Sequence, residues 1–146
     1  MSKSNTFENS LLLLICNNTN IADIGDATGL LGSSTAGSLY WAMHTADPGE
    51  AGSAVTSETA YTGYARKGYT RNGTNFVVTN NSVSPGADVD FGECTASPGG
   101  NLTHFSLVNT SSGAGIILYS GTLSPNVTMA VGTIPRLKST STITED

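Results

Sequence analysis

His44, Asp47 and Glu50 stand at three-residue intervals in "HTADPGEAG", directly after the apolar run "LYWAM". One imidazole and two carboxylates could in principle hold a divalent metal or move a proton. Pro48-Gly49, however, sets a turn between the second and third members, because proline presets φ and glycine accepts positive φ. The three side chains therefore do not fall on one face of a helix or strand. Asp before Pro-Gly is ordinary turn chemistry, its carboxylate accepting backbone N–H bonds, and Asp47, Pro48 and Gly49 are assigned as a structural turn.

Other chemistry-bearing residues give equally plain readings. A nucleophilic site needs Ser or Cys, His and a carboxylate gathered in space, and abundant serines make chance matches inevitable. In "LTHFSL", Leu102, His104 and Ser106 share one strand face and Phe105 and Leu107 the other, which points His104 to solvent or a subunit seam. No G-x-S-x-G elbow, Walker-type loop or H-E-x-x-H is present. Asp88 and Asp90, and Glu145 with Asp146, read as solvated strand faces; a calcium site from "DVD" would need more oxygen ligands from elsewhere. Tyr61, Tyr64 and Tyr69 could line a glycan or protein contact, with sheet-face packing the simpler role. No residue is assigned to catalysis, to a cofactor or to a metal.

The elements that position these residues are mostly strands. Residues 5 to 17 carry the one helical pattern: Asn5 with Glu8 has the form of a capping box, Phe7, Leu11, Leu14 and Ile15 recur at helical spacing, and Asn17 and Asn18 end it. Residues 18 to 37 read as a loop. From Ser38 onward the signals are β, beginning with "SLYWAMH". "YARKGYTR" and "TNFVVT" bracket Asn72-Gly73, a type I′ hairpin signal that predicts pairing of the two flanking runs. Further short strands are expected at "DVDF", "THFSLVN", "GIILYSG", "NVTMAV", "TIPRLKS" and "STITE", with connections too short for crossover helices. The expectation is a single domain over 1–146: an antiparallel β-sandwich, jelly-roll-like, with one N-terminal helix.

Composition narrows the function. A chain of 146 residues buries roughly 68–70 % of its unfolded surface, enough for a core without staples. Only 12 % of residues are charged, against 18 Ser and 20 Thr, so the surface is built largely from hydroxyls and amides. The net charge of −5 and six scattered cations speak against nucleic acid as a partner. Arg66, Lys67 and Arg71 could still cluster across a hairpin and meet an acidic partner. Cys16 and Cys94 lack metal spacing and read as buried thiols, with a disulfide as the alternative. "LLLLIC" is too short to span a bilayer and has poor signal-peptide flanks, so a protein made in the host cytosol with no membrane partner is expected.

The segments "FENSLLLLICNNTNIADI", "LYWAMHTADPGEAG" followed by "TSETAYTGYAR", "LTHFSLVN" leading to "SSGAGIILYSGTLSP", and "IPRLKSTSTITED" together resemble a family of small structural proteins of tailed bacteriophages. The resemblance covers nearly the whole chain and brings no catalytic residues with it. It implies a non-enzymatic virion component, first of all a capsid decoration or cement protein on the shell surface, with the major capsid protein and copies of itself as partners. A tail-fibre or tail-adaptor module is the structural alternative, and a glycan-binding module using the tyrosines and the Asp88/Asp90 loop is an alternative of another class.

Overall fold

Leu11 to Ile15 are all apolar, so the helix they form has no unique apolar stripe, and its neighbours decide which row is buried. The computed structural model describes residues 2–145 and places α1 at Asn5–Asn17. The buried row is Glu8, Leu12 and Cys16, spaced four apart, whereas Phe7 is exposed and Leu11, Leu14 and Ile15 are half-buried. The row inferred from Phe7, Leu11, Leu14 and Ile15 is thus displaced by one residue. The cap is displaced too. Ser4, not Asn5, is the N-cap, its hydroxyl accepting from the Phe7 N–H at 3.4 Å, while Asn18 closes the helix in the left-handed region at φ 59°.

No basic residue lies in the last turn of α1. The cation that complements this carbonyl-rich end comes from far along the chain. Arg71 donates to the carbonyls of Leu14, Ile15 and Ala36, which satisfies acceptors that the helix leaves open and sets a full positive charge at its negative end.

The rest of the architecture is β, as the turn-punctuated sequence leads one to expect: mainly β with one helix and several antiparallel sheets. The strands are β1 (Ser38–His44), β2 (Lys67–Thr70), β3 (Phe76–Thr79), β4 (Ser82–Pro85), β5 (Val89–Asp90), β6 (Leu102–Val108), β7 (Ile117–Val127), β8 (Arg136–Leu137) and β9 (Ile143–Thr144). They form sheets of order β2-β1-β6-β7, β3-β4-β9 and β5-β8. The β1–β6, β6–β7, β3–β4, β4–β9 and β5–β8 pairings are antiparallel. "GIILYSG" and the start of "NVTMAV" run together as the single strand β7, and residues 128 to 131 are not strand.

The chain divides into two compact units, each assembled from separate stretches. The first comprises residues 1–38, 69–88 and 138–146, and the second 39–68 and 89–137. In the first unit α1 packs on β3 and β4, and Leu12, Cys16, Phe76, Val83 and Ile143 supply buried positions. Enclosing a ring such as Phe76 contributes roughly 1.5–3 kcal/mol. Burial pushes the Cys16 thiol up to about 12, partly offset by Arg71, so this sulfur is a packing group; Cys94, in the second unit, is also buried and free. Glu145 binds Lys3 at 3.2 Å, and its acidic neighbour Asp146 lies outside the described residues.

In the second unit Trp41, Met43, Leu102, Phe105, Leu107 and Val108 are buried along β1 and β6, with Trp41 opposite Leu107 and Met43 opposite Phe105. Both faces of this strand pair are closed, which explains why "SLYWAMH" alternates so poorly.

Asn72-Gly73 does not make the expected hairpin. β2 lies beside β1 in one sheet and β3 pairs with β4 in another, and neither Asn72 nor Gly73 has positive φ. Instead the Asn72 side chain accepts from the Thr74 and Asn75 N–H groups at 3.0 and 2.9 Å, forming a local turn in which its own amide takes the role that type I′ geometry would have given the backbone. The two-residue hairpin falls later, at Asn80-Asn81 between β3 and β4, with Asn80 at φ 54°.

Candidate functional site

Pairing of β1 with β6 sets His44 opposite His104 and Ala42 opposite Ser106, so an imidazole and a hydroxyl distant in sequence meet on one face. His44 Nε2 lies 2.7 Å from Ser106 Oγ, and Nδ1 lies 2.9 Å from the Thr56 carbonyl. A carbonyl only accepts, so Nδ1 carries the proton and Nε2 accepts from the Ser106 hydroxyl. This is the contact a serine nucleophile makes with its base. Two features deny it that chemistry. Both residues are 0 % exposed, and the group orienting the imidazole is a backbone carbonyl rather than a carboxylate.

Glu58, the carboxylate whose charge acts on His44, is engaged elsewhere. Arg66 Nε and Nη2 donate to its two oxygens, each at 2.7 Å, and the Tyr64 hydroxyl donates to Oε1 at 2.9 Å. The same guanidinium donates to the carbonyls of Thr110 and Gly113 at 3.1 and 2.9 Å, which fixes the loop between β6 and β7. The Arg66 side chain is 2 % exposed and that of Glu58 15 %. Its fork-shaped bond to Glu58 raises the guanidinium's pKa despite partial burial. Burial pushes the Tyr64 phenol above its ordinary range, and its oxygen also accepts the Met43 N–H at 3.1 Å. Polar groups in this region are turned inward and tied to one another.

The remaining candidates are placed as follows. Asp47 accepts the Gly49 N–H at 2.9 Å, Gly49 lies at φ 67°, and Pro48 is buried. With His44 held between Thr56 and Ser106, the His44/Asp47/Glu50 triple is not assembled. Among the described residues no group of three or more His, Cys, Asp or Glu could hold a metal ion. Asp88 accepts from the Ser139 N–H and hydroxyl at 2.8 and 2.9 Å, and Asp90 is clamped by Arg136 Nε and Nη2 at 2.5 and 2.8 Å. Both acids of "DVD" thus serve strand ends. His104 is half-buried, and its Nδ1 lies 2.9 Å from Thr103 Oγ1.

Tyr61 is buried, donates to the Gly92 carbonyl at 2.8 Å and meets the Tyr64 ring edge-on at 5.4 Å, so two of the three tyrosines offered for a ligand contact are packing groups. The cation cluster of positions 66 to 71 is also dispersed: Arg66 serves Glu58 and Arg71 caps α1.

Sequence reasoning missed the Arg66–Glu58–Tyr64 network and the His44–Ser106 pair. The first had one usable signal, a lone Glu eight residues before a lone Arg in an otherwise uncharged stretch with two tyrosines. The second depends on which strands pair, and nothing local announces that.

His44 also makes stability depend on pH. Burial is the largest influence and lowers its pKa from 6.5, opposed by the Thr56 bond and Glu58 and assisted by Arg66 and His104. The unfolded chain therefore binds more protons just below pH 6.5, and stability is fully present above that value and lost as pH falls through the window beneath it. In urea unfolding, the wild type is expected to lose stability between about pH 7.5 and about pH 5.5, and His44→Gln to lose less over that interval. Equal slopes for the two proteins would show that His44 does not carry the effect.

What the strands and their inward-turned polar groups define is a structural β-rich module. The chain belongs to the family described as podophage GP4 fiber I protein gp80, whose model matches residues 2–144. That family is one of phage virion structural proteins of the tail-fibre type, in line with the resemblance to tailed-phage structural proteins. Among curated proteins none matches this chain.

Proposed function

We propose that the protein is a non-enzymatic building piece of a podophage fibre at the tail. The observation that carries the proposal is the family match along residues 2–144, whose description names a fibre. The sealed Ser106–His44 pair supports a role without bond-making chemistry, since no substrate atom reaches a hydroxyl with no exposed surface. The resemblance in sequence points first to decoration of the capsid shell, and the fibre description favours the tail alternative over it. Association with copies of itself and with neighbouring virion proteins is part of this proposal, because a fibre transmits load through repeated interfaces rather than through one residue.

The test is localisation on intact particles. Antibody labelling of purified virions, together with quantitative mass spectrometry, is expected to place the chain at the tail at on the order of a few dozen copies, as a fibre of low-order symmetry requires. On the order of hundreds of copies spread over the shell would restore the decoration reading and overturn this one.

A further inference from the structure

We infer that the outer edge of β7 is a self-association surface, on which the same strand of a second copy of this chain pairs in antiparallel fashion. β7 is the last strand of the β2-β1-β6-β7 sheet and within it is hydrogen-bonded to β6 alone. A strand so placed directs every second N–H and C=O away from its neighbour, at a spacing that another strand matches. None of its eleven residues is buried, whereas β1 and β6 hold five buried residues each.

Edges are ordinarily kept from pairing by shortness, charge, proline or a covering element. The other edge strands have such protection. β3 is four residues long and β9 two, β2 carries Lys67, and β5 and β8 hold Asp90 and Arg136. β7 carries no charge, and its one proline, Pro125, falls near its end. Residues 117–124 thus present an uncharged, proline-free edge of about 27 Å. Register shifts against β6 lie on either side of residues 119–122, so the regular part of the edge, and with it the two-fold axis of a pair, falls at the centre of the strand. An axis near Gly121 sets the exposed Ser120 of one copy against the exposed Thr122 of the other, a hydroxyl pair that favours cross-strand contact. At the start of the strand the Gly115 carbonyl accepts the Ala54 N–H at 2.9 Å, and the residues that follow these two, Ile116 and Val55, are 64 % and 47 % exposed. They flank the edge with aliphatic surface that pairing can bury.

The occupant is a second copy because the edge is its own complement under a two-fold axis and needs no second surface. The net charge of −5 makes copies repel one another in general, but this strand sets no like charges opposite each other. The inference rests on the association of copies proposed above and names the surface that carries it.

The experiment is analytical ultracentrifugation of the full chain up to about 1 mM, where a reversible dimer is expected with a dissociation constant on the order of 10–100 µM, as suits an interface of one strand pair. Ser120→Lys/Thr122→Lys should weaken dimerisation about tenfold or more at an unchanged melting midpoint, because both positions are exposed and like charges then oppose across the axis. Ser120→Glu/Thr122→Glu should do the same alone, and a mixture of the two variants should associate again. Val77→Lys, at an exposed position of edge strand β3 in another sheet, should leave the dimer intact. In hydrogen exchange, alternate amides of residues 117–124 should slow as the concentration rises. A chain that stays monomeric throughout overturns the inference. So does a dimer that survives the lysine pair, is lost with Val77→Lys, or fails to re-form in the mixture; copies then associate through another surface and the fibre reading stands. Labelling of intact particles tests that reading separately.

Discussion

Replacing Arg66 by Ala should lower the stability of the protein by about 3–5 kcal/mol, the cost of stranding a carboxylate that has lost its buried partner. The guanidinium is almost wholly enclosed, makes two 2.7 Å bonds to Glu58, and holds the loop carbonyls of Thr110 and Gly113. Without it Glu58 keeps only the Tyr64 hydroxyl, and the loop between β6 and β7 loses its anchor. Lysine cannot substitute, because a single ammonium reproduces neither the fork nor the two extra carbonyl contacts. Glu58→Met/Arg66→Met should recover much of the loss, since apolar side chains of similar volume leave no charge uncompensated. Urea unfolding of the wild type, both single variants and the double variant gives the coupling directly. A loss for Arg66→Ala below about 1 kcal/mol, the size expected of a solvent-exposed pair, would show that the clamp does not exist in solution.

Trp41→Ala should cost a similar amount, about 3–5 kcal/mol, through the cavity left when the largest core side chain is removed. Trp41 is 1 % exposed, lies opposite Leu107 across β1 and β6, and its ring sits 6.1 Å from that of Phe105 at an angle of 48°. It is the only tryptophan of the chain. Its burial can therefore be checked before any substitution is made: native emission should be blue-shifted and should move to the red on unfolding. Trp41→Phe keeps most of the apolar volume and should lose less than half as much stability. The variants themselves are followed by circular dichroism. If Trp41→Ala unfolds at the wild-type urea midpoint, this strand pair is not the core of its unit.

The general architecture was legible because its signals are local. Asn18 ends α1 where a residue tolerant of positive φ follows the apolar run, and Asp47-Pro48-Gly49 forms a turn from the chemistry of its own three residues. What failed was whatever depended on partners remote in sequence. Asn72-Gly73 satisfies the local rule for a hairpin, yet β2 and β3 go to different sheets, so the neighbours of each strand outweighed the intrinsic preference of the turn. The buried row of α1 could not be chosen within an unbroken run of leucines. Arg66 and Arg71 look alike in sequence, yet one closes a carboxylate clamp and the other a helix end.

The interleaved make-up of the two units governs how the protein can be dissected. Each unit draws on separated stretches, with the path passing from one to the other at 38/39, 68/69, 88/89 and 137/138. No single cut, and no truncation from either end, yields one unit intact. Removing the last nine residues, for example, takes β9 away from β4 in the first unit. Fragments made to map binding will therefore behave as damaged versions of the whole chain, and internal substitutions are the means of assigning activities to one unit or the other.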